Sequence, residues 1–150
     1  MVERMTATAA EEGLAFDFEA VQPGNTFDAH RLIALAREMG RADPLCERLM
    51  SAYLIEGLSI GNRTVLAQLA AETGLDPQRT AEVLAGDEFG SDVRSDEAAA
   101  AAAGIHSVPS FVLDGTSKIS GAQPSALLIA FLGGAPASRG PAGPDPDAVR

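Results

Sequence analysis

The stretch GIHSVPSFVLDG, residues 104–115, is the most informative part of this sequence. Val108–Leu113 is rich in β-branched and aromatic residues, which favour extended strands. Asp114 and Gly115 are a typical turn pair between two strands, and the β-type segment Lys118–Ser120 follows them. The pattern predicts a β-hairpin. A two-stranded hairpin is only marginally stable by itself, yet the residues before it contain no convincing partner strand.

Most of the chain before the hairpin has helical periodicity. Leu32, Leu35, Ala36 and Met39 recur at the spacing of one helix face and predict a buried stripe. Asn25 or Thr26 is the expected cap of this helix, and Gly40 its end. Further helices are predicted near residues 2–12, from the Asp43-Pro44 pair to Gly57, from Asn62 to Gly74, from the Asp76-Pro77 pair to Ala85, over 91–103 and from Pro124 onward.

Three other segments carry expectations. Phe16 and Phe18 alternate with polar or small residues, which predicts a brief extended segment with the rings inward. The last helix is apolar on nearly all sides and is expected to be buried against the hairpin or another partner. Residues 134–150 are rich in Pro and Gly and poor in large apolar side chains, which predicts a disordered tail.

Composition excludes several classes of function. The formal net charge is -10, and the sequence has no basic patch of the kind that nucleic-acid binding requires. A single cysteine, Cys46, excludes an internal disulfide, a Cys-rich zinc site and a C-x-x-C motif. No run approaches the roughly 20 apolar residues of a membrane span. The first twelve residues lack the apolar core of a signal peptide, so a cytoplasmic protein is expected.

Pro109 stands at the start of the first predicted strand, where its missing N–H breaks no ladder hydrogen bond. By itself this placement is typical of a trans proline that opens an edge strand. A cis bond, which about 5–6% of X-Pro bonds adopt, would turn the backbone of Val108 toward a cleft. There it could pair with an extended substrate.

Residues 108–115 and 119–124 together closely resemble the C-terminal part of DsbA-like thioredoxin-fold proteins. Asn25–Leu32 (NTFDAHRL) and Ala52–Gly61 (AYLIEGLSIG) resemble segments of the FrnE-type branch of these thiol-disulfide oxidoreductases. The resemblance covers roughly residues 2 to 132. It implies a mostly helical α/β fold: a DsbA-type helical insertion domain over 1–104, then the C-terminal β-β-α unit of a thioredoxin-like fold over 105–133. It also implies a cis Val108-Pro109 bond opposite the redox site.

The sequence departs from this family at its catalytic centre. The family begins with a strand, a C-x-x-C motif, a helix and a second strand, which have no counterpart in this sequence. Cys46 stands among Leu45, Leu49, Met50 and Tyr53, where we interpret it as an inert core residue. No catalytic residue and no cofactor is therefore assigned. We expect no dithiol redox activity from these residues alone.

The candidate substrate-binding residues are Val108, Pro109, Asn25, Thr26 and His30. In the proteins that this sequence resembles, the start of the helix that bears Asn25, Thr26 and His30 is close to the redox cleft. His30 could equally be a surface residue bonded locally. His30 and His106 lack a carboxylate at ligand spacing, so no metal site is predicted.

Three functions are weighed. The first is thiol-disulfide exchange, in which Val108 and Pro109 hold a protein or peptide thiol client. The second is a glutathione-dependent enzyme similar to 2-hydroxychromene-2-carboxylate isomerases or kappa-class glutathione transferases, which bind glutathione at the same loop. The third is a non-enzymatic interaction module. The unpaired strand edge predicts a homo-oligomer or a partner that completes the sheet. No nucleic-acid or membrane partner is expected.

Overall fold

The computed structural model describes residues 2–134. The predicted disordered tail lies outside these residues, except for Gly134. The chain divides into two compact units, Met1–Glu97 and Ala98–Arg150, and the division falls within a helix. This division does not test the predicted domain boundary at residue 104, which stays a prediction.

The first unit is helical. Helix α1 (Val2–Glu11) precedes an irregular segment, and four helices follow it: α2 (Phe27–Glu38), α3 (Ala42–Leu54), α4 (Arg63–Glu72) and α5 (Pro77–Ala85). Helix α6 (Gly90–Ala102) begins in this unit and continues into the second. None of the helices within residues 2–134 combines the length and apolar character needed to cross a membrane.

Helices α2 to α5 enclose one hydrophobic core. Its fully buried side chains come from each of these helices: Leu32, Leu35, Leu45, Leu66, Leu69 and Val83. The predicted stripe of α2 is confirmed for Leu32, Leu35 and Ala36. Met39 was wrongly included, because it is the C-cap residue and 44% exposed. Because α2 ends at Glu38, Met39 lies beyond the helical turn that would have directed its side chain to the core.

Capping residues fix the helix ends. The side chain of Asp76 accepts the N–H of Arg79 at 2.8 Å, and Pro77 is the first residue of α5, as predicted. Gly40 follows α2 with a φ of +66°, which glycine adopts without strain. The prediction for α3 was wrong, since α3 begins at Ala42 and Asp43 is not its cap. Pro44 fits inside the first turn because the N–H that it lacks would have no helical acceptor there.

No strand forms around Phe16 and Phe18. The two rings are half-buried and meet edge to face, with centroids 5.8 Å apart. Their alternation in the sequence reflects this ring pair rather than a sheet.

The second unit contains the predicted hairpin. Strands β1 (Ser110–Leu113) and β2 (Ser117–Ser120) are antiparallel, with Phe111 opposite Ile119. Asp114 and Gly115 both have positive φ angles, 52° and 69°, as tight hairpin turns of the primed type require. Helix α7 (Ser125–Leu132) follows. Only Phe131 of this helix is buried, and Ile129 and Leu132 are 70% and 69% exposed. Full burial of α7 was therefore wrong for the described residues.

Candidate functional site

The loop before β1 carries the two residues on which the sequence analysis depends most. Val108 is 88% exposed, and the peptide bond between Val108 and Pro109 is cis. The N–H of Gly121 donates to the carbonyl of Pro109 at 2.8 Å, which extends the hairpin ladder by one bond. The hydroxyls of Ser110 and Ser120 are 3.2 Å apart on adjacent strands. Val108 is thus presented to solvent by a loop whose next residue is anchored.

The register of the hairpin shows which backbone groups of β1 face away from β2. Hydrogen-bonded and non-hydrogen-bonded pairs alternate along an antiparallel ladder. Because Pro109 is bonded to Gly121, the ladder bonds also belong to Phe111 and Leu113. Ser110 and Val112 therefore direct their N–H and C=O groups to the other edge of β1. Among residues 2–134 no strand pairs with that edge.

The end of α6 is tied to β2 by the sole lysine of the sequence. Lys118 Nζ donates to the carbonyls of Ala103 at 2.7 Å and Gly104 at 2.9 Å. Gly104 has a φ of +65°, and the N–H groups of Gly104 and Ile105 return to Ala101 and Ala100, which is a Schellman end. The loop that leads to Pro109 therefore begins at Gly104, which these hydrogen bonds hold in place. Sequence reasoning assigned Lys118 no such role.

The start of α2 holds three of the predicted site residues, all of them exposed. Thr26 is the N-cap residue, but the Asn25 side chain accepts the N–H of Phe27 at 2.8 Å. A Cβ at Gly61 would lie 3.1 Å from the carbonyl oxygen of Asn25 and 3.2 Å from its nitrogen. Glycine at position 61 thus permits the close backbone approach that positions Asn25.

His30 lines a small cleft of about 170 Å³ between α2 and the start of α6. Arg37 stands on the same helix, and Asp92, Asp96 and Glu97 line the cleft from α6. His30, Asn25 and Thr26 belong to the first unit, whereas Val108 and Pro109 belong to the second. That these five residues form one site stays a prediction.

Cys46 is only half-buried on α3. Leu45 and Leu49 are buried as expected, but Met50 is 62% exposed, so the surroundings of Cys46 are less apolar than predicted. Leu45 and Leu49 lie on the side of α3 that faces the core, whereas Cys46 and Met50 lie at the edge of the core. In the part of the chain that the structure describes, no group of three or more His, Cys, Asp and Glu residues could hold a metal ion.

Sequence reasoning missed the most connected polar residue of the helical unit. Arg31 is 2% exposed, and its guanidinium donates to the backbone carbonyls of Val83, Gly86 and Glu88. It also pairs with Asp28 at 2.7 Å. These contacts join α2 to the end of α5 and the loop before α6. The spacing of the apolar residues along α2 could not reveal this role, because Arg31 is charged and is not part of that apolar pattern.

Asp28 is shared by two arginines. Its Oδ1 accepts from Arg31 and its Oδ2 accepts from Arg63 Nε, each at 2.7 Å. Partial burial raises the pKa of the Asp28 carboxyl, but the hydrogen bonds from Arg63 and Arg31 outweigh that effect, so its pKa is lowered. The carboxylate stays ionised at neutral pH.

Comparison with known proteins gives the chain its family. The family model of the DSBA-like thioredoxin domain matches residues 1–133. Among solved structures, the crystal structure of a probable DsbA oxidoreductase from Streptomyces coelicolor is similar, with 35% sequence identity and a TM-score of 0.81. The match covers 97% of this chain and 65% of that chain, so this sequence spans about two thirds of its relative's length. No curated protein matches the chain.

These findings agree with the predicted fold class, a mostly helical chain with a hairpin and a DsbA-type helical insertion. The family model covers both the helical segment and the hairpin with α7. The chain belongs to the DSBA-like thioredoxin domain family.

Proposed function

We propose that this chain supplies the client-binding part of a DsbA-type thiol-disulfide oxidoreductase. Its membership of the family supports this role, as does the probable DsbA oxidoreductase that it resembles. The observation that carries the proposal is the edge of β1, next to the exposed Val108, that pairs with no other strand among residues 2–134. An extended client segment could add to that edge through main-chain hydrogen bonds, which is a common way for proteins to bind peptides.

Disulfide exchange needs an attacking thiolate, which bonds to one sulfur of a disulfide and releases the other sulfur as a thiolate. A C-x-x-C pair can then resolve the mixed disulfide. These 150 residues contain one cysteine, Cys46, which is half-buried on α3. We therefore propose that the chain has no dithiol redox activity by itself and that the thiolate comes from outside these residues.

Insulin reduction tests the redox part of this proposal. With dithiothreitol as the reductant, insulin should precipitate at the same rate with and without the chain. A Cys46→Ser variant is the matched control, because it removes the only thiol. A turnover that depends on the chain and disappears in Cys46→Ser would overturn the proposal and identify Cys46 as a nucleophile.

A titration with a peptide that carries no reactive thiol tests client binding separately. The insulin B chain with alkylated cysteines should shift the amide NMR signals of Ser110 and Val112. Val112→Pro removes the N–H that faces this edge of β1 and should abolish the shift at Ser110, whereas Val112→Ala should retain it. Equal binding by both variants would contradict pairing at this edge.

We propose that Asn25, Thr26 and His30 also take part in client binding. The exposure of all three side chains supports this role. In the same titration His30→Ala should weaken peptide binding, and Glu38→Ala, on the same helix but outside the His30 cleft, is the control. A titration with glutathione tests the alternative function. Saturable shifts at Val108 with glutathione, but not with the peptide, would favour the glutathione-dependent class instead.

We further propose that the chain belongs to the FrnE-type branch, whose members are cytoplasmic. Residues 25–32 and 52–61, which resemble segments of that branch, support the assignment. Antibody detection after cell fractionation would test the location, with the expected signal in the cytoplasmic fraction.

The exposed surface of the second unit could also bind a protein partner or a second copy of this chain. Val112, Ile129 and Leu132 are apolar and between 45% and 70% exposed, and exposed apolar surface favours association. We propose that the chain self-associates when no client is present. Sedimentation at micromolar concentration should show a dimer or larger species, and a folded monomer would refute self-association.

A further inference from the structure

A second cleft in the helical unit shares no lining residue with the His30 cleft and is lined mainly by charged residues. Asp28 and Arg31 on α2, Arg63 on α4, Asp87 before α6 and Arg94 on α6 contribute to it, together with Phe27. The open volume is about 540 Å³, which is within the range of small-molecule sites. We refer to it as the arginine cleft.

The residues that line the arginine cleft have a net positive charge, whereas the chain as a whole is negative. The whole sequence has a net charge of -10, but three arginines face two aspartates here. Asp28 alone neutralises part of the charge on both Arg31 and Arg63. That group of three keeps an excess positive charge inside a wall of the cleft, where an anion would be attracted.

Arg94 adds a charge that no carboxylate of residues 2–134 offsets at short range. Its guanidinium carbon lies 4.7 Å from the centroid of the Phe27 ring, which is a cation–π contact. Across the described residues, no carboxylate lies within 4.0 Å of Arg94. The ring holds the side chain in place without removing its charge or occupying its N–H donors.

Arg63 also retains hydrogen-bonding capacity. Its Nε donates to Asp28, whereas its two terminal nitrogens have no hydrogen-bond acceptor within the part of the chain that the structure describes. Its side chain lines the cleft and is 61% exposed. Arg63 and Arg94 stand on different helices, so a ligand between them could receive N–H donors from two sides. The planar fork of a guanidinium matches the oxygens of a phosphate or carboxylate.

We propose that the arginine cleft binds the phosphate group of a small-molecule ligand, held by Arg63 and Arg94. Two guanidiniums from different helices that line the same cleft favour a doubly charged group over a single carboxylate. The cleft is larger than a phosphate ion, which leaves room for the remainder of such a ligand. None of the residues that line the arginine cleft belongs to β1, and the proposed binding requires no thiol.

Titration of the full chain with inorganic phosphate tests this inference. At constant ionic strength, phosphate should saturably shift the amide NMR signals of residues 63 and 90–94. Acetate should bind at least ten-fold more weakly. If acetate binds as well as phosphate, or if chloride produces the same shifts, the site does not select phosphate and the proposal is overturned.

Charge-matched variants localise the binding. Arg63→Gln and Arg94→Gln should each weaken phosphate binding by about ten-fold, because each removes one of the two cationic contacts. Arg37→Gln removes a charge from the cleft that contains His30 and should leave phosphate binding unchanged. Far-UV circular dichroism checks that each variant is folded. Folded Arg63→Gln and Arg94→Gln variants that bind phosphate as tightly as the wild type would refute the site.

Discussion

Lys118 Nζ on β2 donates to the carbonyl oxygen of Ala103 at the end of α6, at a distance of 2.7 Å. The last carbonyls of a helix have no helical donors and carry partial negative charge, so an ammonium group there stabilises both the helix end and the hairpin. Since the contact spans 15 residues of sequence, it also holds together the two ends of the loop that contains Pro109.

Replacement of this lysine should loosen the second unit. Lys118→Met keeps most of the apolar stem but removes the charge and both hydrogen bonds, and we expect a loss of about 1 kcal/mol because the group is exposed. Amide hydrogen exchange should accelerate at Gly104 and Ile105. Lys118→Arg is the control, since it retains a cation. Unchanged exchange in Lys118→Met would show that the contact does not hold the helix end.

A larger effect is expected in the helical unit. Arg31→Leu should lower the free energy of unfolding by about 3–5 kcal/mol, because it leaves Asp28 and several backbone carbonyls without their buried donor. Arg37→Leu, one turn and a half further along α2 and outside this network, should change it by less than about 0.5 kcal/mol. Urea denaturation measures both. Equal losses in the two variants would contradict the role given to Arg31.

The difference between these two arginines also shows what the sequence could and could not predict. Helix ends such as Asp76-Pro77 and the hairpin turn Asp114-Gly115 were predictable because their signals are local. The acceptors of Arg31 lie 52 to 57 residues away and are backbone carbonyls, which carry no side-chain pattern. Such a contact becomes visible only after the helices are packed.

The candidate site was predictable to a similar extent. The hairpin followed from β-propensity and turn chemistry, whereas Val108 was singled out by the family resemblance and by its place before Pro109. The exposure of α7 did not, because an apolar helix indicates that something should cover it without indicating where that cover comes from. Met39 was misplaced for a related reason, as periodicity continues in a sequence after the helix itself has ended.

Asp28 gives the stability of the protein a defined pH dependence. Its pKa in the folded chain lies below that in the unfolded chain, which is about 3.9. The stabilisation is therefore fully present above the unfolded pKa and is lost as the pH falls through the folded pKa. Asp28→Asn should be less stable than the wild type by roughly 1–2 kcal/mol at pH 7, from the loss of charge-assisted hydrogen bonds.

This difference between Asp28→Asn and the wild type should shrink progressively below about pH 4, because the carboxyl is protonated first in the unfolded chain and only at lower pH in the folded chain. Urea denaturation at several pH values provides the measurement. Asp43→Asn, at an acidic residue outside this network, is the control. A stability gap that stays constant from pH 7 to pH 3 would exclude the proposed ionisation.

Thr80 offers a stabilising substitution. Its side chain is fully buried in α5, and its hydroxyl has no hydrogen-bond partner among the described residues. Thr80→Val replaces the hydroxyl by a methyl group of nearly the same size, and we expect a gain of about 1 kcal/mol. Thr64→Val at an exposed position should be nearly neutral. A destabilised Thr80→Val variant would indicate that the hydroxyl is satisfied in solution.

Two glycines with nearly the same φ angle separate the effect of a steric clash from that of the left-handed backbone. Gly57 and Gly115 have φ angles of +65° and +69°, but a Cβ at Gly57 would lie 2.7 Å from the Cβ of Ala20, whereas a Cβ at Gly115 meets nothing within 4 Å. Gly115→Ala should therefore lose only about 1–2 kcal/mol, the usual cost of a left-handed alanine. Gly57→Ala should lose about 3 kcal/mol or more, since it adds overpacking. Thermal denaturation measures both, and equal losses would show that the segment around Ala20 yields without strain.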